Sequence, residues 1–139
     1  MKMIKAASLL CLGLISGAAV ATPLADLNQL RWQHRIILVD ETTQQNNAQA
    51  LLKRLNNDVE DRDVVWFVFQ KNQTLTNYSG TVSAQLFTQA KASYGLGNHS
   101  VILVGKDGGV KTRLDYLGLK ELFGDIDRMP MRISEMRQK

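Results

Sequence analysis

Apolar residues along this chain fall into blocks of two distinct periods, and the blocks predict a layered α/β domain. Arg35-Ile-Ile-Leu-Val39 is a short β-branched run bounded by polar residues, which predicts a buried strand. Ala48, Leu51, Leu52, Leu55 and Val59 then recur at helical spacing among Gln, Asn, Lys and Arg, as in an amphipathic helix. Asp63-Val-Val-Trp-Phe-Val-Phe69 is apolar almost throughout, as expected of a central strand covered on both faces. Gln70 to Gly80 is polar and turn-rich. Ser83 is placed to cap a helix that carries Leu86, Phe87, Ala90 and Tyr94 on one face, and Gly95 and Gly97 end it. A strand from Ser100 to Val104 turns through Lys106-Asp-Gly-Gly109 into Val110 to Leu114, because Asp-Gly supplies the positive φ angles of a hairpin turn. The closing helix carries Leu119, Leu122, Phe123, Ile126 and Met129, and Pro130 suits the first turn of a further short helix.

The order β-α-β-α-β-β-α predicts a thioredoxin-like layer: a mixed four-stranded sheet, helices on both faces, and an antiparallel hairpin at one edge. No linker, repeat or low-complexity tract interrupts it, so one domain is expected.

The N-terminus changes the setting of that domain. Lys2 and Lys5 precede an apolar run from Ala6 to Val20 that ends at Ala19-Val20-Ala21, the layout of a secretory signal peptide. Residues 1–21 are therefore expected to be a signal cleaved after Ala21, leaving 22–139 in the periplasm or outside the cell. The run is short for a membrane span and is broken by Ser8, Gly13, Ser16 and Gly17. A lipoprotein is disfavoured as well, since Leu10 stands before Cys11 where a small residue is expected.

Cleavage would remove Cys11, the chain's one cysteine, and with it disulfides, thiolate catalysis and cysteine-ligated metal. Removing Lys2 and Lys5 also brings the formal net charge from +4 to about +2. So slight a basicity points to no nucleic acid, and no membrane insertion is expected after cleavage. The partner class left is an unidentified envelope or extracellular protein.

The more specific wording lies in Val104-Gly-Lys-Asp-Gly-Gly-Val-Lys111 and Ile126-Asp-Arg-Met-Pro-Met-Arg132 followed by Glu135-Met136, with Trp32-x-x-Arg35 and Asp61-Arg62-Asp63 ahead of the first two strands. In these residues the chain resembles the thioredoxin-like domain of unknown function of short exported bacterial proteins and of animal sushi-repeat and equarin-type extracellular proteins. The resemblance implies that fold and an extracytoplasmic setting, and brings no catalytic residues with it.

Redox chemistry is the activity such a fold invites, and the residues argue against it. A thioredoxin nucleophile sits after the first strand at a helix N-terminus. Asp40-Glu-Thr-Thr-Gln-Gln-Asn46 occupies that place, and Gly97-Asn-His99 stands where a cis-proline would face it. Thr42 and Thr43 are expected as helix caps, and His99 as a half-exposed side chain near the same edge, open to a pH-dependent binding role. Gly105-Lys-Asp-Gly-Gly109 joins two strands and is a hairpin turn rather than a phosphate loop, with Lys106 and Lys111 expected to be solvated. Met129 and Met136 share a helical face and are the weak candidates for Cu(I); Met131 turns away unless Pro130 breaks the helix. Arg128, Arg132 and Glu135 are expected to pair along a solvated surface.

The expectation is thus a non-redox binding or structural module without cofactor, with Thr42, Thr43, His99, Lys106, Lys111, Arg113 and Arg132 as its contact surface. An envelope enzyme or a Cu(I)-handling protein is the alternative. Exposed Trp32, ahead of the first strand, is the one aromatic expected off the core. If the leader reading holds, intact-mass analysis of the exported protein will give a chain beginning at Thr22; a chain retaining Cys11 would refute it.

Overall fold

The computed structural model describes residues 22–139, so the expected signal and Cys11 lie outside the described residues. Five strands form one mixed sheet: β1 (Arg35–Glu41), β2 (Val64–Gln70), β3 (Thr74–Thr76), β4 (Val101–Val104) and β5 (Val110–Leu114), in the order β3-β2-β1-β4-β5. β1 runs parallel to β2 and antiparallel to β4, and both flanking hairpins are antiparallel. The helices are α1 (Ala48–Arg54), α2 (Asn56–Asp61), α3 (Leu86–Tyr94), α4 (Leu119–Asp127) and α5 (Pro130–Arg137), with a short 3-10 helix at Leu27–Leu30.

The pleat of the three central strands divides the core. Ile36 and Leu38, Val65, Phe67 and Phe69, and Ile102 and Val104 face Leu27, Leu30, Leu86, Ala90 and Tyr94. Their neighbours Ile37 and Val39, Trp66 and Val68, and Val101 and Leu103 face Leu52, Val59, Leu119, Leu122 and Ile126. Each central strand is therefore buried on both sides, which is why its sequence is apolar without alternation.

Three expectations are corrected. The sheet has five strands rather than four, because Thr74–Thr76 pairs antiparallel with β2 inside the segment expected as a turn. Beyond β3, Asn77 continues that pairing with its side chain: Oδ1 accepts from Trp66 N–H at 2.8 Å and Nδ2 donates to Val64 C=O at 3.1 Å. The first helix is two, broken at Leu55 (φ −101°, ψ 28°), where Asn56-Asn57 is a poor helix continuation. Ser83 sits ahead of the N-cap, its hydroxyl accepting from Gln85 N–H at 3.0 Å. Pro130 does open a new helix: Met129 is extended and Pro130 takes the first turn.

The hairpin turn is held by Gly105 N–H to Gly109 C=O at 2.8 Å, with Gly108 at φ 86°. A side chain there would meet both left-handed strain and the Arg31 side chain, 3.4 Å away. Truncation of Ile102, fully buried in β4, to Ala is expected to cost about 2–5 kcal/mol in urea unfolding, whereas Thr76→Ala on edge strand β3 should stay within about 1 kcal/mol.

Candidate functional site

The sheet ends in buried charge on both sides of β1. At its C-terminal end Glu41, 2% exposed, accepts from the N–H groups of Asn46 and Ala48 at 3.1 and 3.0 Å and from Gln70 Nε2 at 3.1 Å. This carboxylate, not Thr42 or Thr43, serves the start of α1. Thr42 instead hydrogen-bonds Asp40 through its N–H and hydroxyl, and Thr43 is exposed. A cavity of about 200 Å³ lies here, lined in part by Asp40, Glu41, Ser100 and Asp115. His99 is half-exposed, with Nδ1 3.4 Å from Asp115 Oδ1.

The N-terminal end of β1, about 20 Å away at strand rise, is more elaborate. Arg35 is 1% exposed and forms a bidentate pair with Glu135 at 3.0 and 3.1 Å, while its Nη1 also donates to Arg62 C=O at 2.9 Å. Lys106 donates to both Glu135 and Asp63 at 2.9 Å. A second cluster adjoins it: Arg62 pairs bidentately with Asp127 at 3.1 and 2.9 Å, and its guanidinium lies 4.5 Å over the Phe123 ring. Arg132, 2% exposed, joins Asp127 at 3.1 Å to Asp61 at 2.7 Å, and Lys139 also pairs with Asp61. Arg132 and Glu135, three residues apart on α5, dock that helix into both clusters.

Three sequence expectations fail here for one reason. Lys106 and Arg132 are not solvated, and Arg132 and Glu135 do not pair along α5, because elements remote in sequence supply their partners. Burial raises the Glu135 pKa, but the hydrogen bonds from Arg35 and Lys106 outweigh it and hold the carboxyl below its usual range. Asp127 is likewise lowered, with Arg62 and Arg132 overcoming burial, and Lys139 and Arg132 bring Asp61 to about 2.

Beside these pairs lies a cleft of about 660 Å³ between the β4–β5 turn and the α4–α5 elbow. Its lining joins Arg35 and Lys106 to Lys111, Asp107, Thr112, Asp125 and Arg128, with Trp32, Met129, Pro130 and Met131 as its apolar part. Trp32 is 58% exposed although its backbone is left-handed (φ 70°), and its N–H donates to Lys106 C=O at 2.6 Å. Asp63, φ 52°, is strained next to it, and its C=O accepts from Arg35 N–H at 2.9 Å. Lys111 pairs with Asp107 at 2.9 Å and Arg128 with Asp125.

The expected contact surface is therefore split. Lys106 and Lys111 line this cleft and Arg132 supports it; Arg113 is exposed on β5 outside the lining, and Thr42, Thr43 and His99 belong to the opposite end. The expected methionine pair is also changed, because the break at Pro130 puts Met129 and Met131 into the cleft while Met136 stays outside its lining. Among the described residues no group of three or more His, Cys, Asp or Glu is placed to hold a metal ion. Nor is any described helix long and apolar enough to cross a membrane.

The model of a domain of unknown function, DUF4174, matches residues 26–135. The chain belongs to that family. The match covers all the residues of both DUF4174 charge clusters except Lys139. A solved structure described as native and K252c-bound RebC-10x is 17% identical over 74% of this DUF4174 chain, with a TM-score of 0.38. The chain spans 15% of that structure's length, and a likeness so slight carries no argument about fold. No curated protein matches.

Acid should loosen this end of the fold. Carboxyls lowered in the folded state bind protons more readily when unfolded, so their contribution is present above about pH 4.5, the unfolded range. It is lost as pH falls through the folded values, toward about 2 for Asp61. Urea midpoints are expected to drop over that window. Glu135→Gln, which leaves buried Arg35 without its carboxylate, should cost about 3 kcal/mol or more at pH 7 and flatten that acid dependence.

Proposed function

We propose that this DUF4174 domain is an exported, non-redox binding module of thioredoxin-like build, and that its binding site is the cleft at Trp32 rather than the thioredoxin edge. The thioredoxin-like reading is supported by the strand order: without β3, the sheet runs β2-β1-β4-β5 with β1 parallel to β2 and β4 reversed. Against redox work stands the chemistry of the place after β1. A carboxylate, Glu41, meets the helix start where a thiolate would have to lie, and residues 22–139 contain no cysteine. Export rests on the leader pattern of residues 1–21.

The observation that carries the site is Trp32. A large apolar side chain held out at a cleft mouth on a left-handed backbone costs about 1–3 kcal/mol of strain, a cost maintained where the surroundings over-determine it. Here the surroundings are Lys106 C=O and the ion pairs behind it.

A photo-crosslinking residue in place of Trp32 should give saturable adducts in the native envelope, while the same residue in place of exposed Lys53 on α1 should not. Equal labelling at both positions would reject the site. Disulfide reductase activity in the mature protein would reject the non-redox reading.

A further inference from the structure

The cleft at Trp32 holds fixed charges but no net charge. Four cations line it, Arg35, Lys106, Lys111 and Arg128, and four carboxylates pair with them, Glu135, Asp63, Asp107 and Asp125. An ion entering from water would lose hydration and find every counter-charge already engaged, so the cleft selects against charged ligands. What the pairs keep is hydrogen-bonding capacity of both signs. Lys111 Nζ gives one N–H to Asp107 at 2.9 Å, exposed Arg128 gives one to Asp125, and both cations carry further N–H groups. Thr112 Oγ1 donates to Asp125 at 2.7 Å and so keeps its lone pairs as acceptors. Each Asp107 oxygen takes a single bond, from Gly109 N–H and from Lys111, both at 2.9 Å. Trp32 supplies the apolar counterpart, and its ring is held in place. The Arg31 guanidinium lies over the indole, 5.0 Å from its centroid, and the same side chain abuts Gly108 of the β4–β5 turn. Arg31 does not line the cleft, so the indole surface turned to the cleft stays open, beside Met129 and Met131.

We propose that the cleft binds a neutral oligosaccharide, with one sugar ring stacked by its C–H face on Trp32 and its hydroxyls bonded to Thr112 and to the Lys111–Asp107 and Arg128–Asp125 pairs. This rests on the reading that the cleft is the module's binding site. A sugar fits because each hydroxyl both donates and accepts, which matches an array of mixed sign without net charge, while the ring carbons present an apolar face to the indole. An apolar peptide side chain would use Trp32 and the methionines alone and leave the polar half of the lining to water. The cleft's volume of about 660 Å³ lies within the range of small-molecule sites, roughly 300–1,000 Å³.

The test is calorimetric titration of the purified mature protein with maltotriose, cellotriose and triacetylchitotriose. At least one should bind saturably, with an affinity unchanged between about 0.1 and 1 M NaCl because no net charge is exchanged. Trp32→Ala should weaken that sugar about tenfold or more, and Trp32→Tyr, which keeps a ring, by less. Thr112→Val keeps the shape of the side chain and adds apolar surface; it should weaken the sugar about threefold to tenfold, whereas an apolar ligand would bind as well or better. Sugar binding that is indifferent to Trp32→Ala, or that is lost at high salt, overturns the proposal. Binding of acetyl-Pro-Pro-Phe-Pro-amide with none of the three sugars bound also overturns it and assigns the cleft to a peptide. No binding of any sugar, with crosslinking at position 32 still stronger than at position 53, overturns the saccharide and leaves the cleft as the site. No binding together with equal crosslinking at the two positions removes both this proposal and the cleft reading.

Discussion

A guanidinium buried at the first residue of the central strand sets the terms for this end of the molecule. Arg35 cannot lie at 1% exposure without a counter-charge, because the desolvation of one ion costs several kcal/mol. Its own strand cannot supply one, since the four residues that follow are apolar and face the two cores, and Asp40 and Glu41 lie at the opposite end. Glu135 of α5 supplies it, and that carboxylate is steadied by Lys106 from the far end of β4. The position of α5 follows from charge rather than from apolar burial. Arg132 is its only buried residue, and its remaining contacts to the sheet end run through ion pairs.

The same constraint shapes the cleft. Docking α5 by Arg132 and Glu135 fixes the elbow at Pro130, and the elbow and the β4–β5 turn are the two walls between which the cleft lies. Lys106 ties the second wall to the first by its side chain and holds Trp32 by its backbone carbonyl. Strain at Trp32 and Asp63 thus sits within one hydrogen-bonded unit with the ion pairs, which is the condition under which left-handed backbone persists in bulky residues.

The layers were legible in the sequence because burial on both faces leaves short unbroken apolar runs bounded by polar residues: Ile36 to Val39 and Val64 to Phe69. β3 was not legible, since a three-residue edge strand of half-buried Thr-Leu-Thr has neither length nor alternation to announce it. The charges were misread in a more instructive way. Spacing along α5 makes Arg132 and Glu135 look like surface partners, yet each bonds residues far away in the chain, and such pairing leaves no periodic trace. What could have revealed it was the wording itself. Trp32-x-x-Arg35, Asp61-Arg62-Asp63, Lys106 and Met129-Pro-Met-Arg132 with Glu135 all converge on one end of the sheet. Trp32 was legible as a surface feature, because it precedes the strand and belongs to no apolar period.

Stability by itself is a poor account of that convergence. Replacing a buried ion pair by apolar residues of similar volume is often neutral or stabilising, so a network of this size is a costly way to fasten a helix. What an ionic network gives that an apolar contact does not is fixed geometry: the bidentate Arg35–Glu135 pair and the Arg132 bonds to Asp127 and Asp61 hold α5 in one register, where methylene packing would tolerate sliding. Register is what matters to the cleft, because a slip of α5 would carry Met131 and the helix amide end away from Trp32. At the other end of β1 the buried charge has the opposite consequence. Glu41 satisfies α1 from within and leaves its amide end closed, so that edge of the sheet is spent on structure. Both ends of the strand are anchored by a buried ion, and the wider of the two clefts beside them lies at the Arg35 end.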